Sequence, residues 1–320
     1  MASSHVPRLI HQTWKTAEVP AEYYPYVDTV RRLHPGYDYK LWTDADNRRL
    51  IADDFAWFLD TYDGYRHAIE RADAIRYFLL YAYGGVYVDL DMEFLKPMDD
   101  LLRSEEPQIF FSLEAGPSIF QTVVSNAFMA APKAHPFFLH VIESLARVKG
   151  SDITFADVFR NTGPDMLTAQ LLNVCGDHGF HVLGLDTICP KGVLPQNKAV
   201  GFADLETIRA EQRLHAIHHN TESWNTQLRC PADDIDGYVL FENADIPGQD
   251  IEFVECPDGS TQPLLEACER NADAIGFNYN GFVKGRGGKL ESATAASPWL
   301  KKGMVPWVCV KKDYVSRVRR

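Results

Sequence analysis

Two carboxylates stand two residues apart, at Asp89 and Asp91, and they end the segment YGGVYVDLD that begins at Tyr83. The apolar residues before them predict a short strand over Val86–Asp91. Residues two apart on a strand point to the same face, so both carboxylates would face one point, which is unfavourable unless a cation lies there. A hard divalent cation prefers oxygen ligands and can also bind a diphosphate. The spacing therefore predicts a metal site, against the alternative of an exposed strand end with solvated side chains.

A second pair, Asp73 and Arg76, lies three residues apart on a predicted helix, so the two side chains share a face. One interpretation is an ion pair on a solvated surface. The other starts from their neighbours, because Asp73 lies between two alanines and Arg76 lies between Ile75 and Tyr77. At such a buried edge, a carboxylate and a guanidinium can hold sugar hydroxyls through directional hydrogen bonds. The sequence leaves both interpretations open.

Two further clusters of polar residues could bind a ligand. His11, Gln12 and Trp14 come at the end of the first apolar strand, and ligands collect at the carboxyl ends of strands in open α/β sheets. Trp14 either stacks on a nucleotide base or is a core side chain. The segment HHNTESW from His218 holds imidazole, amide, carboxylate and hydroxyl groups within seven residues. Because so many polar groups fall within so short a segment, we predict a late loop that closes over a metal and a diphosphate. Any single member could be an ordinary surface residue.

The elements that must position these residues follow an α/β pattern. A strand near Leu9–Trp14, a helix over Tyr23–Leu33 and a strand over Tyr37–Trp42 form a β-α-β beginning, which predicts a parallel sheet. Apolar residues at helical spacing predict a helix over Arg66–Tyr83, which two glycines end. The catalytic candidates thus follow predicted strands or lie on the helix between them.

From about Asp234, short strand-like runs alternate with turns rich in Pro, Gly and Asp. We therefore predict two domains. Residues 1–232 would form an α/β domain with a mostly parallel sheet flanked by helices, and residues 233–320 a small, mainly-β module.

Composition excludes some classes of function. The 320-residue chain has a formal net charge of −12, which argues against a nucleic-acid partner, because an acidic chain repels phosphate backbones. No apolar stretch reaches the roughly 20 residues of a membrane span, so we predict no transmembrane segment in this chain.

Four of the six cysteines, Cys230, Cys256, Cys268 and Cys309, fall late in the chain. They are either disulfide-bonded in an oxidising compartment or buried thiols, so a cytoplasmic and a secretory-pathway location both stay open.

Four ordered motifs resemble those of glycosyltransferase family 32, the D-x-D sugar transferases of the initiating α-1,6-mannosyltransferase and inositol-phosphoceramide mannosyltransferase type. The motifs are PRLIHQTWKT from Pro7, YKLWTD from Tyr39, RADAIRY from Arg71 and YGGVYVDLD from Tyr83. The resemblance covers about residues 6–228. It implies a GT-A fold, a nucleotide-diphosphate sugar as donor, Mn²⁺ or Mg²⁺ as cofactor, and retention of the anomeric configuration.

The resemblance also implies roles for single residues. The implied catalytic residues are Asp73, Arg76, Asp89 and Asp91. Asp73 and Arg76 hold the donor sugar, Asp89 contacts the ribose and sugar or reaches the metal through water, and Asp91 ligates the metal directly. The implied metal shell is completed by His219 or Glu222. The remaining implied contacts to the donor are His11, Gln12, Trp14 near the base, Tyr87, and the pair Ser223 and Trp224 on the diphosphate.

The implied reaction is transfer of a hexose, with mannose from GDP-mannose favoured, to a hydroxyl group of a glycan or glycolipid. The motifs contact parts common to many donors, so a UDP-sugar-dependent transferase (galactose, glucose or GlcNAc) stays open, as does a catalytically silent sugar-nucleotide-binding protein. A nucleotidyl or phosphoryl transferase is disfavoured, because His11–Lys15 contains no glycine for a phosphate loop. In the last third, the segments beginning at Asp245, Glu266 and Gly276 resemble PAN/apple-like binding modules.

Overall fold

The computed structural model describes residues 5–65, 67–103, 109–115, 122–147, 155–174, 179–190, 209, 212–221, 235–242, 244–246, 250–254, 256, 261–279, 282–286, 289, 291–292 and 307–318. The chain divides into two compact units, Met1–Thr221 and Glu222–Arg320. The sequence places the domain boundary after residue 232. Because residues 222–234 lie outside the described part, that boundary stays a prediction.

The first unit is built on a six-stranded sheet with the strand order β2-β1-β3-β6-β5-β7. These strands are β1 (Leu9–Thr13), β2 (Asp38–Trp42), β3 (Gly85–Val88), β5 (Ile109–Ala115), β6 (Thr122–Ala131) and β7 (Phe180–Leu183). Strand β6 runs against its neighbours, while β2, β1, β3, β5 and β7 all run the same way. The predicted α/β class with a mostly parallel sheet is confirmed. Three shorter strands, β4 (Met92–Phe94), β8 (Ile188–Pro190) and β9 (Ala216–His218), form a separate sheet in the order β4-β9-β8.

Helices cover the six-stranded sheet. They are α1 (Tyr24–Leu33), α2 (Asp44–Asp54), α3 (Leu59–Asp63), α4 (Ala68–Tyr83), α5 (Pro136–Leu145), α6 (Phe155–Asn161) and α7 (Pro164–Asn173). One apolar core joins α4 and α5 to the sheet through residues such as Ile75, Phe78 and Phe138. Another core gathers Ile10, Val86 and Val88 with Val30 of α1. None of the described helices is both long and apolar enough to span a membrane.

Local sequence explains where the helices near the sheet edge begin. The side chain of Thr43 accepts a hydrogen bond from the backbone N–H of Asp46, and the Asp46 carboxylate accepts one from the N–H of Thr43. This reciprocal capping box starts α2 directly after β2. Helix α4 begins at Ala68, two residues later than the sequence predicts, with His67 and Glu70 forming its capping box.

Two glycines turn the chain from α4 into β3. Gly84 and Gly85 have φ angles of 65° and 97°, in the region that other residues avoid. A Cβ atom on Gly85 would lie 2.3 Å from the carbonyl oxygen of Leu9, and one on Gly84 would lie 2.5 Å from the backbone nitrogen of Lys133. These positions therefore need glycine both for their conformation and for the close approach of neighbouring backbone.

Strand β3 is shorter than predicted. It ends at Val88, and Asp89–Asp91 form the turn into β4, with the N–H of Met92 bonded to the carbonyl of Asp89 at 3.2 Å. The expectation that Asp89 and Asp91 share a face because both lie on one strand is therefore wrong. The turn, and the pairing of β4 with β9, brings their side chains together instead.

The second unit contains a five-stranded antiparallel sheet in the order β10-β16-β13-β14-β12. Its elements are β10 (Tyr238–Glu242), β11 (Ala244–Asp245), β12 (Asp250–Phe253), α8 (Gln262–Arg270), β13 (Ala274–Asn278), β14 (Phe282–Gly285), β15 (Glu291–Ser292), β16 (Trp307–Lys311) and α9 (Val315–Val318). Leu264 and Cys268 of α8 pack with Phe277 of β13 and Cys309 of β16. The mainly-β character predicted for this part is confirmed, and the PAN/apple-like resemblance stays a prediction.

Candidate active site

The site lies at the carboxyl end of β3, where ligands gather in sheets of this kind. The turn at Asp89 is fixed from both sides of β3. Its backbone N–H donates to the carbonyl of Ala127, and its carbonyl accepts a bond of 3.1 Å from the Gln12 side chain. Gln12 in turn accepts a bond of 2.9 Å from the hydroxyl of Tyr39. The position of the first carboxylate is therefore set by strands β1, β2 and β6 together.

Asp89, Asp91 and His218 form the centre of the site. Each offers one ligand atom, and these atoms all lie within 4.8 Å of one another. Nε2 of His218 lies 3.3 Å from the Asp91 carboxylate and 4.0 Å from that of Asp89. The second oxygen of Asp91 accepts bonds of 2.8 and 3.0 Å from the backbone N–H and the hydroxyl of Thr221.

The protonation of this cluster follows from its charges. Burial raises the pKa of Asp91, but the charge and hydrogen bond of His218 and the bonds from Thr221 outweigh it and bring the pKa well below its usual range. Burial lowers the pKa of His218, but Asp91 above all, with Glu114 and Asp89, raises it to about 9. A protonated imidazole thus offsets part of the negative charge of the two carboxylates at this point. A divalent cation could serve the same purpose, because two carboxylates and one imidazole make an oxygen-rich donor set.

Arg76 of α4 is the second charged centre. Its guanidinium donates 3.1 Å to Asp89, 2.9 Å to the carbonyl of Asn126 and 3.2 Å to the Asn126 side chain, and it lies 3.3 Å from Asp73. The guanidinium carbon also lies 5.0 Å from the ring centroid of Tyr87. Burial lowers the pKa of Arg76, yet Asp89 and Tyr87 raise it overall, so the group stays cationic. Of the two interpretations of Asp73 and Arg76, the structure supports the buried edge, because both side chains are less than 10 % exposed.

Asp73 is held by three neighbours. The Asn126 side chain donates to one oxygen at 2.9 Å, the hydroxyl of Thr162 donates to the other at 3.2 Å, and Arg76 pairs with the first. Burial raises the pKa of Asp73 to about 6, although Arg76 and these hydrogen bonds oppose the rise. Asp73 is therefore an accurately positioned carboxylate beside the cationic centre.

His11 lies behind the site. Its ring is fully buried, Nδ1 accepts a bond of 3.0 Å from the indole N–H of Trp42, and Nε2 faces the carbonyl of Gly84 at 2.8 Å. Since Nδ1 is an acceptor, Nε2 carries the proton and the ring is neutral. Burial lowers the pKa of His11 to about 4. The structure thus places His11 and Gln12, which the sequence groups with the donor contacts, where they fix the glycine turn and the Asp89 turn.

Trp14 and Tyr87 flank the carboxylates. Trp14 is half-buried, and its ring centroid lies 5.3 Å from that of Tyr23, whose hydroxyl lies 3.2 Å from that of Thr221. Tyr87 donates to the Asp89 carboxylate at 2.8 Å and contacts the hydroxyl of Thr13 at 3.0 Å. Trp14 is thus linked to Asp91 through Tyr23 and Thr221. Its contact to a base stays a prediction.

His219 has a different environment from His218. Its Nε2 lies 2.8 Å from Glu93, and its ring stacks on Tyr26 with centroids 4.2 Å apart. Glu93 is also bonded to Arg209 at 2.9 Å. The structure therefore brings His218, and not His219, to the two carboxylates. The predicted ligand Glu222 and the predicted diphosphate contacts Ser223 and Trp224 lie outside the described residues.

Sequence reasoning missed several residues of the site. His218 stands in the recognised cluster, and only its pairing opposite Met92 of β4 selects it over His219. Asn126 had a usable signal, because it is an amide followed by five apolar residues in its strand, and it touches both Asp73 and Arg76. Thr162 and Thr221 lie 89 and 130 residues from the carboxylates that they bind. No local pattern marks them.

Residues 20–107 match a family model described as "Glycosyltransferase sugar-binding region containing DXD motif". This stretch contains Asp73, Arg76, Asp89 and Asp91. These residues are similar to the sugar-binding region of DXD glycosyltransferases. The resemblance to family 32 that the sequence motifs indicate is confirmed by this match and by the relatives of the chain.

About half of the chain or less is similar to parts of several curated mannosyltransferases. Inositol phosphoceramide mannosyltransferase 3 of Schizosaccharomyces pombe is 41% identical over 167 residues, which are 52% of this chain and 45% of the relative. Mannosyl phosphorylinositol ceramide synthase CSH1 of Saccharomyces cerevisiae is 41% identical over 50% of this chain and 40% of the relative. The initiation-specific alpha-1,6-mannosyltransferase of Candida albicans is 33% identical over 32% and 29%. The matched part thus spans less than half the length of these relatives.

Among solved structures, PaToxG glycosyltransferase matches with a TM-score of 0.41 and 16% identity, over 53% of this chain and 70% of that one. The galactosyltransferase LgtC in complex with donor and acceptor sugar analogues matches with a TM-score of 0.31 and 10% identity, over 67% and 88%. The α/β class of the first unit rests on its own helix-flanked, mostly parallel sheet.

Proposed function

We propose that this chain transfers a hexose, with mannose from GDP-mannose favoured, to a hydroxyl group of a glycan or glycolipid, with retention at the anomeric carbon. The observation that carries the proposal is the convergence of Asp89, Asp91 and His218 within 4.8 Å, beside the buried guanidinium of Arg76. The cluster, with a metal bound, and the guanidinium of Arg76 would then provide two positive charges beside each other. Such charges stabilise the negative charge that develops on a diphosphate leaving group. Relatives named as mannosyltransferases support the choice of mannose.

The three converging residues fit a divalent metal. Asp91 is held as an anion by Thr221, and Asp89 has an oxygen that Arg76 does not use, which Tyr87 orients. A metal held here would supply positive charge for the departing nucleoside diphosphate. His218 would have to be neutral to hold the metal, and because its pKa is raised to about 9 it would lose a proton on doing so at neutral pH.

Asp73 and Arg76 would orient the donor sugar. Arg76 cannot move freely, because Asp73, Asp89 and Asn126 hold it. Its remaining donor capacity and the Asp73 carboxylate therefore present hydrogen-bonding groups in a fixed geometry. Positioning of this kind lowers the barrier without a chemical role for the residue itself.

For the chemical step, we propose attack by the acceptor hydroxyl on the face of the sugar from which the diphosphate leaves. The bond from the acceptor oxygen to the anomeric carbon forms as the bond from that carbon to the donor phosphate oxygen breaks. The acceptor proton passes to a donor phosphate oxygen. The products are the glycoside and the nucleoside diphosphate, and the configuration is retained.

The test is a donor screen with the full chain. GDP-mannose, UDP-glucose, UDP-galactose and UDP-GlcNAc are incubated with Mn²⁺ or with a chelator, and released sugar is followed by NMR. We expect hydrolysis of GDP-mannose that needs the metal and gives the α-anomer first. Hydrolysis of a UDP-sugar without hydrolysis of GDP-mannose would show that the donor is that UDP-sugar. Binding without any turnover would indicate a silent sugar-nucleotide-binding protein, and release of the β-anomer first would contradict retention.

A further inference from the structure

A cavity of about 140 Å³ opens beside Asp44, which follows the carboxyl end of β2. It is lined by Asp44 and Arg48 of α2, Tyr62 and Asp63 of α3, and Arg71 of α4. For comparison, an enclosed cavity of roughly 150 Å³ admits a benzene ring. Since this cavity is open on one side, it can receive one edge of a larger, bicyclic ring.

The strand order relates the position of the cavity to that of Asp89 and Asp91. Strand β1 lies between β2 and β3, so the ends of β2 and β3 are two strand spacings apart, about 9.5 Å. Helix α2 starts at the carboxyl end of β2, and α4 runs from that edge of the sheet to the start of β3. The backbone N–H of Asp44 bonds to the carbonyl of Lys15, the residue after Trp14. An extended nucleoside diphosphate with its phosphates at Asp91 would therefore carry its base towards this cavity.

The chemistry of the cavity distinguishes among bases. Asp44 is exposed at its rim and accepts no hydrogen bond from any residue that the structure describes. The positive charge of Arg71 lies close enough to act on it, and Arg71 also donates to the carbonyl of Tyr65. A carboxylate only accepts hydrogen bonds, whereas a guanidinium only donates them. The rim thus presents two acceptor oxygens beside a donor.

Guanine is the base that complements this arrangement. Its Watson–Crick edge has two adjacent donors, N1–H and the N2 amino group, next to the acceptor O6. Uracil presents one N–H between two carbonyl oxygens, which a carboxylate repels, and adenine and cytosine each present one donor beside a ring nitrogen that accepts. Two parallel bonds to one carboxylate also give directional selectivity.

We propose that this cavity binds the base of the donor nucleotide and that Asp44 selects guanine. The proposal rests on the proposed function, because it places the base of the same donor. Trp14, for which the family resemblance implies a position near the base, would contact a face of the ring while Asp44 binds its edge. The nucleotide preference of the enzyme would thus depend on a residue outside the candidate metal cluster.

The test measures binding of GDP, IDP and UDP by titration calorimetry in Mn²⁺, with the full chain and the Asp44→Asn and Asp53→Asn variants. We expect GDP to bind the unmodified protein more tightly than IDP, which lacks the N2 amino group, and IDP more tightly than UDP. Asp44→Asn should weaken GDP binding roughly ten- to hundred-fold, since bidentate contacts to a base discriminate by about that much. It should leave UDP binding unchanged or stronger.

Asp53→Asn is the matched control, because Asp53 is an exposed carboxylate of the same helix α2 that does not line the cavity. It should change GDP binding by less than about two-fold. Equal binding of GDP and UDP to the unmodified protein, or equal loss of GDP and UDP binding in Asp44→Asn, would overturn the guanine assignment and leave the transferase proposal intact. If no nucleoside diphosphate binds in Mn²⁺, the proposed function itself fails. Thr43 and Asp46 cap α2 without Asp44, so the variant should fold, which its circular dichroism would verify.

Discussion

At the residue scale, the two carboxylates of the D-x-D pair differ although they stand two positions apart. Asp91 is bonded to Thr221 and His218, which lower its pKa, whereas burial raises the pKa of Asp89 despite Arg76. The difference comes from their partners and not from the motif. We therefore expect Asp91 to be the stronger metal ligand and Asp89 to be shared with Arg76 and Tyr87.

Replacing Asp91 with asparagine tests its role. The amide can still accept the Thr221 bonds but carries no charge, so Mn²⁺ binding should be lost and donor turnover should fall about 10²- to 10³-fold, the usual cost of losing one group that stabilises developing charge. The fold should change little. Calorimetric titration of Mn²⁺ and the hydrolysis assay give the two readings. Asp99→Asn, which affects an exposed pair with Arg8, should leave both unchanged. Full turnover in Asp91→Asn would contradict the metal role.

The neutral ring of His11 predicts a pH dependence of stability. Its folded pKa of about 4 lies below the value of 6.5 for an unfolded chain, so the unfolded state binds more protons between these values. The stability that neutral His11 contributes is fully present above pH 6.5 and is lost as the pH falls towards 4. The total loss is on the order of 3 kcal/mol. His11→Gln keeps a donor and an acceptor without titrating. Urea unfolding at pH 7.5 and pH 4.5 should show a smaller loss in the variant, and equal losses would refute the assignment.

Glu114 is the carboxylate that tests the front-face mechanism. It lies near His218 and Asp89, accepts a bond of 3.0 Å from Ser125, and burial raises its pKa. Because attack from the leaving face needs no enzyme nucleophile, Glu114→Gln should lower turnover by less than about ten-fold, as a lost charge near the site would. The exposed Glu143→Gln is the control. A loss of about 10³-fold that azide restores, with formation of a glycosyl azide, would indicate a covalent mechanism through Glu114.

At the element scale, the turn from α4 into β3 holds the site together. Helix α4 carries Asp73 and Arg76, β3 leads to Asp89, and Gly84 and Gly85 join them. His11 fixes this turn through the carbonyl of Gly84. The orientation of helix and strand therefore sets the contact between Arg76 and Asp89.

Gly85→Ala should disrupt that turn. The φ of 97° is strained for alanine, and the new Cβ would lie 2.3 Å from the Leu9 carbonyl oxygen, which is part of strand β1 and cannot move easily. We expect a loss of roughly 3 kcal/mol or more of unfolding free energy. Gly36→Ala is the control, because its Cβ would meet the end of the flexible Arg8 side chain. Urea denaturation measures the free energy of unfolding of both variants. A loss in Gly85→Ala as small as that in Gly36→Ala would show that the turn tolerates a side chain.

The elements also show which structural features could be predicted from the sequence. Helix α4 and the glycine turn were predictable because their signals, helical spacing and consecutive glycines, are local. The end of β3 at Val88 was not, since Leu90 continues the apolar alternation while the hydrogen bond from Met92 to Asp89 turns the chain. The choice of His218 depends on the pairing of β4 with β9, segments more than 120 residues apart in the sequence. The D-x-D pair and the pair Asp73 and Arg76 were thus predictable, whereas the choice of His218 and the bonds from Thr162 and Thr221 depend on contacts between distant segments.

At the scale of the whole molecule, the two units should respond differently to the metal. The candidate ligands Asp89, Asp91 and His218 all belong to the unit Met1–Thr221. Mn²⁺ at about 100 times its dissociation constant should stabilise that unit by about 2.7 kcal/mol. Scanning calorimetry with and without Mn²⁺ should shift one transition and leave that of Glu222–Arg320 in place. The shift should vanish in Asp91→Asn, and a shift confined to the second unit would contradict the site.

Thr221, which binds Asp91 through its N–H and its hydroxyl, is also the last residue of the first unit. A truncated protein that ended there would carry a terminal carboxylate on the very residue that stabilises the Asp91 anion. The added negative charge would compete with Asp91 for His218 and would change the apparent affinity for cations. An isolated first unit therefore has to be produced with a peptide bond after Thr221, and a shorter form would misreport the properties of the intact enzyme.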